Sequence, residues 1–271
     1  MPNAFPSASG IERSQQPDDG AAANGGPARA GTLRDLLRRR HKTRLLVLPG
    51  LDGTGLLLRG FREALGASIG TITICYPTDR DLDYAALEEF VRSRLPRQRP
   101  FVVLAESFSG PIAISIAAKR PAGLRGLILA CSFARNPMPS LAPLRLLTRL
   151  LPIRCAPIAL LAWPALGRFA TPGLQAQLVE ALSRVRPSVI RTRLRAVTEV
   201  DVSPLLTRVD VPVLYLRASE DRLVPRSASA ELAAIPRLRF AEIEGPHFLL
   251  QARPSVAAAH VQGFLREVEA M

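Results

Sequence analysis

Phe101-Val102-Val103-Leu104-Ala105-Glu106-Ser107-Phe108-Ser109-Gly110-Pro111 decides how the chain is read. Five apolar residues run into Glu106 and Ser107, and Gly110 and Pro111 then open a second apolar run, Ile112 to Ala118. This is the pattern of a buried strand, a sharp turn and a helix, with a serine on the turn. A serine so placed projects above the sheet at the positive end of the following helix, where the dipole favours developing negative charge. The tight turn requires small residues two before and two after the serine, and Ala105 and Ser109 meet that need. Any strand–helix unit can carry a serine in its turn, so a structural serine and a nucleophile both fit this stretch taken alone. Ser109, two residues further into the helix, is the rival nucleophile.

Outward from this stretch the chain alternates. Upstream, the pattern predicts a strand over Arg44 to Leu48, a helix over Leu56 to Leu65 and a strand over Thr71 to Cys75. An amphipathic helix over Asp81 to Leu95 follows, with Leu82, Ala85, Ala86, Val91 and Leu95 on its apolar face. Downstream, Pro121 ends the helix after Ser107, and Gly126 to Cys131 reads as a fourth strand. Such alternation predicts a mostly parallel, doubly wound α/β sheet with helices on both faces. It then stops. Arg135 to Val200 contains no convincing strand and is broken by prolines at 143, 152, 157, 164, 172 and 187, which reads as several short helices. Inserted between two parallel strands, residues 135–200 would sit at the carboxyl end of the sheet as a cap. Its apolar residues Leu160, Leu161, Trp163, Leu166 and Phe169 are read mainly as the cap's own core rather than as pocket lining. The sheet resumes at Val211 to Arg217. A helix over Ser227 to Ala234, a strand over Arg237 to Ile243 and a closing helix over Ser255 to Val268 complete it. The expected division is a disordered tail over 1–31, a first core part over 32–134, the cap over 135–200 and a second core part over 201–271. The tail is rich in Gly, Ala, Pro and Ser without periodicity. Thr32 to His41 reads as a short basic helix with Thr32 as N-cap.

Composition narrows the function. The chain has 271 residues, 48% of them apolar, enough for one sizeable core with an inserted subdomain. The net charge is +13 and nearly all the cations are arginines. They are scattered, apart from Arg38-Arg39-Arg40, and are not interleaved with aromatics as a nucleic-acid stacking surface requires. No nucleic-acid partner is therefore expected. A membrane-surface contact by the basic cap has no support in the sequence beyond its charge. The three cysteines, Cys75, Cys131 and Cys155, are far apart and form no CxxC, so neither a metal site nor a disulfide framework is expected. The N-terminus lacks the charged and apolar regions of a secretory signal. The most apolar stretch, Leu144 to Gly167, is interrupted by arginines and prolines and falls short of a spanning helix. A cytoplasmic protein without metal or organic cofactor is the expectation.

Two further loops carry chemistry. Ala218-Ser219-Glu220-Asp221-Arg222 and Glu244-Gly245-Pro246-His247 follow successive strands, at the carboxyl ends where open parallel sheets place their sites. The other histidines, His41 and His260, lie outside the expected loops. The order Ser107, acid, His247 is that of nucleophile, orienting acid and base. A histidine can take the serine proton during attack and return it to the leaving group, and an acid can hold the imidazole tautomer. Both Glu220 and Asp221 are candidates for that acid. Backbone N–H groups of Phe108 and of Leu51, in the loop Pro49-Gly50-Leu51-Asp52-Gly53-Thr54-Gly55, can face a tetrahedral oxyanion. That loop does not fit a phosphate-binding G-x-G-x-x-G and no G-K-[ST] follows. Asp52 reads first as a loop or capping residue, with a functional carboxylate near the site as the alternative.

From about Arg44 onward the chain resembles the α/β-hydrolase superfamily. The resemblance rests on Leu48-Pro49-Gly50-Leu51-Asp52-Gly53, the Ser107 turn, Glu220 to Pro225 and Gly245-Pro246-His247-Phe248. It implies Ser107 as nucleophile, Asp221 as acid, His247 as base, and Leu51 with Phe108 as oxyanion donors. The usual Gly-x-Ser-x-Gly turn is here Ala105-Glu106-Ser107-Phe108-Ser109, and proline replaces the histidine of the family's His-Gly loop. The first two strands of the full superfamily sheet are not evident, so a reduced six-stranded sheet is expected. The leading expectation is a serine hydrolase that cleaves a small-molecule carboxylic ester, with an apolar acyl or alcohol group, through an acyl-enzyme. Acyl transfer by the same residues, a non-hydrolytic enzyme of the fold and a non-catalytic binding protein are the alternatives.

Overall fold

The computed structural model describes residues 43–139 and 163–271. The expected tail over 1–31, the basic helix over 32–41 and residues 140–162 of the expected cap lie outside them. Six parallel strands form one sheet: β1 (Arg44–Leu48), β2 (Thr71–Thr73), β3 (Phe101–Glu106), β4 (Leu124–Ala130), β5 (Val213–Glu220) and β6 (Leu238–Pro246), in the order β2-β1-β3-β4-β5-β6. The order reverses between β1 and β3. In open parallel sheets that reversal leaves a crevice at the carboxyl ends.

The sheet is buried on both faces, as all-parallel sheets are. Successive strand residues go to opposite sides. Leu46, Leu48, Phe101, Val103, Ala105, Leu127 and Leu129 belong to one core layer. Leu45, Val47, Val102, Leu104, Ile128 and Ala130 belong to the other. The first layer is covered by α2 (Tyr84–Arg92) and α3 (Gly110–Ala118). The second is covered by α1 (Arg59–Leu65) and the C-terminal helix Pro254–Ala270. Helix α3 is apolar apart from Ser115 and buried at every position, so the sequence there shows a nearly continuous run rather than a stripe.

Several boundaries move, each for a local reason. β2 ends at Thr73 rather than Cys75, because the chain beyond it turns to the 50–55 loop: Tyr76 N donates to Gly53 O at 2.8 Å. The helix expected from Asp81 starts at Tyr84, because Asp83 caps it by accepting from Ala86 N at 2.9 Å. Its buried face carries Leu87 and Val91, and Ala85 is exposed. β5 and β6 run on to Glu220 and Pro246, beyond the expected ends at Arg217 and Ile243. Glu220 pairs with Pro246 across the two strands, so the next residues, Asp221 and His247, leave the sheet side by side.

The described part of the strandless segment contains α4 (Pro172–Ser183) and α5 (Pro187–Glu199). It packs on loops at the carboxyl ends of the strands. Leu166, Leu178 and Ala181 bury against Leu57 and meet Phe248, and Val185, Val189 and Ile190 meet Leu51. Leu166 is thus core, though shared with the sheet domain. Trp163 is 58% exposed under the Arg222 guanidinium and is not core. Phe169 is half-buried beneath Arg168 and Arg253, while Leu160 and Leu161 lie outside the described residues. Among the described residues no helix is long and apolar enough to cross a membrane.

Candidate active site

Ser107 sits between β3 and α3 with φ at 47°, a left-handed conformation that non-glycine residues enter only at a cost. The sharp turn lifts its side chain clear of the sheet. Ala105 and Ser109 are both fully buried, which is why the positions two away from Ser107 must be small. Gly110 has its own constraint. A Cβ there would stand 2.8 Å from Ser132 Cβ and closer still to its hydroxyl, which donates to Ser107 O at 2.7 Å. Gly110→Ala is expected to displace Ser132, break that bond and cost about 1–3 kcal/mol. A urea titration showing less than 0.5 kcal/mol (the usual scatter for a harmless surface change, roughly) would contradict this packing.

Ser107 Oγ lies 2.8 Å from His247 Nε2, and His247 Nδ1 lies 2.9 Å from both carboxylate oxygens of Asp221. His247 is 3% exposed. A carboxylate only accepts, so Nδ1 carries the proton and Nε2 is left to accept the Ser107 hydroxyl. Asp221 is itself held: its Oδ1 accepts from Leu223 N at 2.9 Å and Val224 N at 2.8 Å. Three loops, after β3, β5 and β6, therefore meet in one chain of hydrogen bonds. Glu220, the competing acid, points elsewhere and accepts from Arg168 Nη2 at 2.6 Å and Nε at 2.9 Å. That pairing lowers its pKa from the usual carboxylate value. Ser109, the competing serine, is spent on structure, with its hydroxyl bonded to Pro49 O and to the Tyr76 hydroxyl.

The loop after β1 stands beside this chain, since β1 and β3 are paired through Leu48 and Ala105. Gly53 N donates to Gly50 O at 3.0 Å and closes a turn around Leu51 and Asp52. Asp52 is buried and accepts from Thr54 N at 2.8 Å, which is the loop-forming role expected of it. Phe108 is buried; Tyr84 stacks on it at 4.8 Å between ring centroids and donates its hydroxyl to Phe108 O at 3.0 Å. Among the described residues no group of His, Cys, Asp or Glu stands where it would hold a metal ion.

Two buried charged residues were not foreseen. Glu106 accepts from Gln251 Nε2 at 2.8 Å, and burial pushes its pKa up to about 7. Its sequence signal was a carboxylate closing a fully apolar strand. Below about pH 7 the protonated form is therefore the favoured one in the folded state. Stability tied to this group is complete below its ordinary value near 4.5 and is lost as pH rises through about 7. Glu106→Gln, neutral at every pH, is therefore expected to gain on the wild type by about 3 kcal/mol between pH 4 and pH 8. Urea melts at the two pH values check this, and a difference independent of pH would contradict it. The second residue is Arg193, 1% exposed on α5. It lies in helical register with buried Val189, Ile190 and Ala196, so an arginine on an apolar stripe was the signal.

Comparison with known proteins agrees with this architecture. Residues 23–260 match the sequence model of the alpha/beta hydrolase family. Phytyl ester synthase 1, chloroplastic, of Arabidopsis thaliana is 31% identical over 132 residues, which are 45% of this chain and 19% of that protein's length. Among solved structures, a hydrolase from Pseudomonas aeruginosa superposes with a TM-score of 0.72 at 18% identity, covering 83% of this chain and 90% of that one. A thermophilic esterase from Thermogutta terrifontis gives a TM-score of 0.71 at 19% identity, covering 84% and 91%. An enol-lactonase from Burkholderia xenovorans gives 0.71 at 14% identity, covering 84% and 93%. With the family match running through every strand of the six-stranded sheet and the loops that close it, this chain belongs to the alpha/beta hydrolase family.

Proposed function

We propose that the protein is a serine hydrolase that cleaves a small-molecule carboxylic ester through an acyl-enzyme. The observation that carries this reading is the unbroken chain from Ser107 Oγ through His247 Nε2 and Nδ1 to Asp221, at 2.8 and 2.9 Å. In it, His247 Nε2 takes the Ser107 proton as Oγ attacks the ester carbonyl, and the imidazolium is stabilised by Asp221. The tetrahedral oxyanion faces the backbone N–H groups of Leu51 and Phe108. His247 then gives its proton to the departing alcohol. Water, deprotonated by the same nitrogen, attacks the acyl-enzyme and releases the acid and free Ser107. Residues 163–200, which pack on Leu51, Leu57 and Phe248, serve as a cap at this site, and these apolar neighbours favour an apolar acyl or alcohol group.

A second reading, transfer of the acyl group to an alcohol in place of water, is favoured by the 31% identity to a protein named as an ester synthase. A panel of p-nitrophenyl esters of rising chain length, with and without a long-chain alcohol, separates the two. Free acid as the sole product supports hydrolysis. A new ester at the expense of free acid supports transfer. No turnover of any ester would remove both.

A further inference from the structure

Arg193 is an unusual buried cation because, among the described residues, no carboxylate forms an ion pair with it. Its partners are three backbone carbonyls of two loops. Nη1 donates to Leu51 O at 2.9 Å and to Asp52 O at 2.7 Å, and Nη2 donates to Pro77 O at 2.9 Å. Its Nε is buried without an acceptor among the described residues. The guanidinium also stands over the Tyr76 ring at 5.5 Å. Burying a guanidinium this way is costly, and desolvation lowers its pKa from the ordinary value. The loop is shaped to admit it. A Cβ on Gly53 would stand 2.6 Å from Nη1, and Gly53 has φ at +71°, a conformation that suits glycine.

The two carbonyls on Nη1 belong to the turn from Gly50 to Gly53. Its first carbonyl, Gly50 O, is committed inward to Gly53 N. Because a trans peptide points its N–H opposite its C=O, the Leu51 N–H faces out of the turn. The soft motion of such a turn is rotation of its central peptide, the one that carries Leu51 O. That carbonyl and the next are the two that Arg193 holds.

We propose that Arg193 is a positioning residue for the ester reaction. By pinning the Leu51 and Asp52 carbonyls from the cap side, it fixes the turn whose Leu51 N–H meets the oxyanion. This rests on the serine-hydrolase reading above, and it ties α5 of the cap to the electrostatics of the reacting carbonyl. Interactions made only as the oxyanion forms appear in kcat and not in KM.

The test compares wild type, Arg193→Met, Arg193→Lys and the exposed neighbour Arg191→Met on p-nitrophenyl butyrate. Rates are expressed per fluorophosphonate-titrated site, so unfolded protein does not count. Arg193→Met is expected to lose on the order of 10²-fold in kcat, the effect of one oxyanion donor, with KM within about threefold of wild type. Arg193→Lys, which keeps the charge and can reach a carbonyl, recovers about tenfold of that loss. Arg191→Met matches wild type. If Arg193→Met does not fold, the lysine variant carries the test alone, with kcat lowered and KM unchanged. Wild-type kcat in a folded Arg193 variant, or a loss confined to KM, overturns the inference while leaving the hydrolase reading standing. A wild type that turns over no ester overturns both.

Discussion

Ser107→Ala is expected to lower kcat for ester hydrolysis by on the order of 10⁴-fold or more, because among the described residues no other hydroxyl bonds to His247 Nε2. The nearest alternative, Ser109, is fully buried and already bonded to Pro49 O and Tyr76. His247 and Asp221 would remain, but without an acyl-enzyme they have nothing to activate except water. Stability should change little, since alanine keeps the left-handed backbone and loses one hydrogen bond to His247. Ser107→Gly should be equally inactive yet more stable than Ser107→Ala by about 1 kcal/mol, because glycine enters that conformation without steric cost. Steady-state assays paired with thermal melts check both halves. An alanine variant within tenfold of wild type (roughly the scatter of an indirect effect) would mean that Ser107 is not the nucleophile.

Asp221→Asn is expected to lower kcat by about 10⁴-fold without unfolding the protein. The reason lies in what already holds the carboxylate. Leu223 N and Val224 N both donate to Oδ1. An asparagine must keep its carbonyl oxygen there, which puts its NH2 in the place of Oδ2, 2.9 Å from His247 Nδ1. A donor facing Nδ1 moves the ring proton to Nε2, where Ser107 needs an acceptor. The comparison variant is Glu220→Gln. Glu220 is bonded to Arg168 at the surface, so its loss should leave kcat within about twofold, as for other exposed ion pairs. The reverse outcome, an inert Asp221→Asn and a crippled Glu220→Gln, would reassign the acid.

Strand β3 and its serine turn were legible in sequence because burial on both faces leaves an uninterrupted apolar run, and only the turn interrupts it. The alternation of strands and helices gave the parallel sheet for the same reason. The pairing of Asp221 with His247 was legible only as loop order. What brings them together is the longer reach of β5 and β6, down to Glu220 opposite Pro246, and those ends carry the polar and glycine residues that mask a strand. Choosing Asp221 over its neighbour Glu220 needed the family resemblance, since two adjacent carboxylates look alike in sequence. Arg193 escaped because its partners are backbone carbonyls far away in the chain, and carbonyls have no sequence signature. Trp163 misled because apolar composition was read as burial, whereas its ring lies at the surface against Arg222.

The measurement that bears most directly on the proposed chemistry is peptide mapping by mass spectrometry after treatment with a fluorophosphonate, which is attacked only by an activated hydroxyl. A single adduct on Ser107 of the wild type, absent from His247→Ala at the same exposure, is the predicted result. An adduct on any other residue, or undiminished labelling of Ser107 without His247, would contradict the Ser107–His247–Asp221 account.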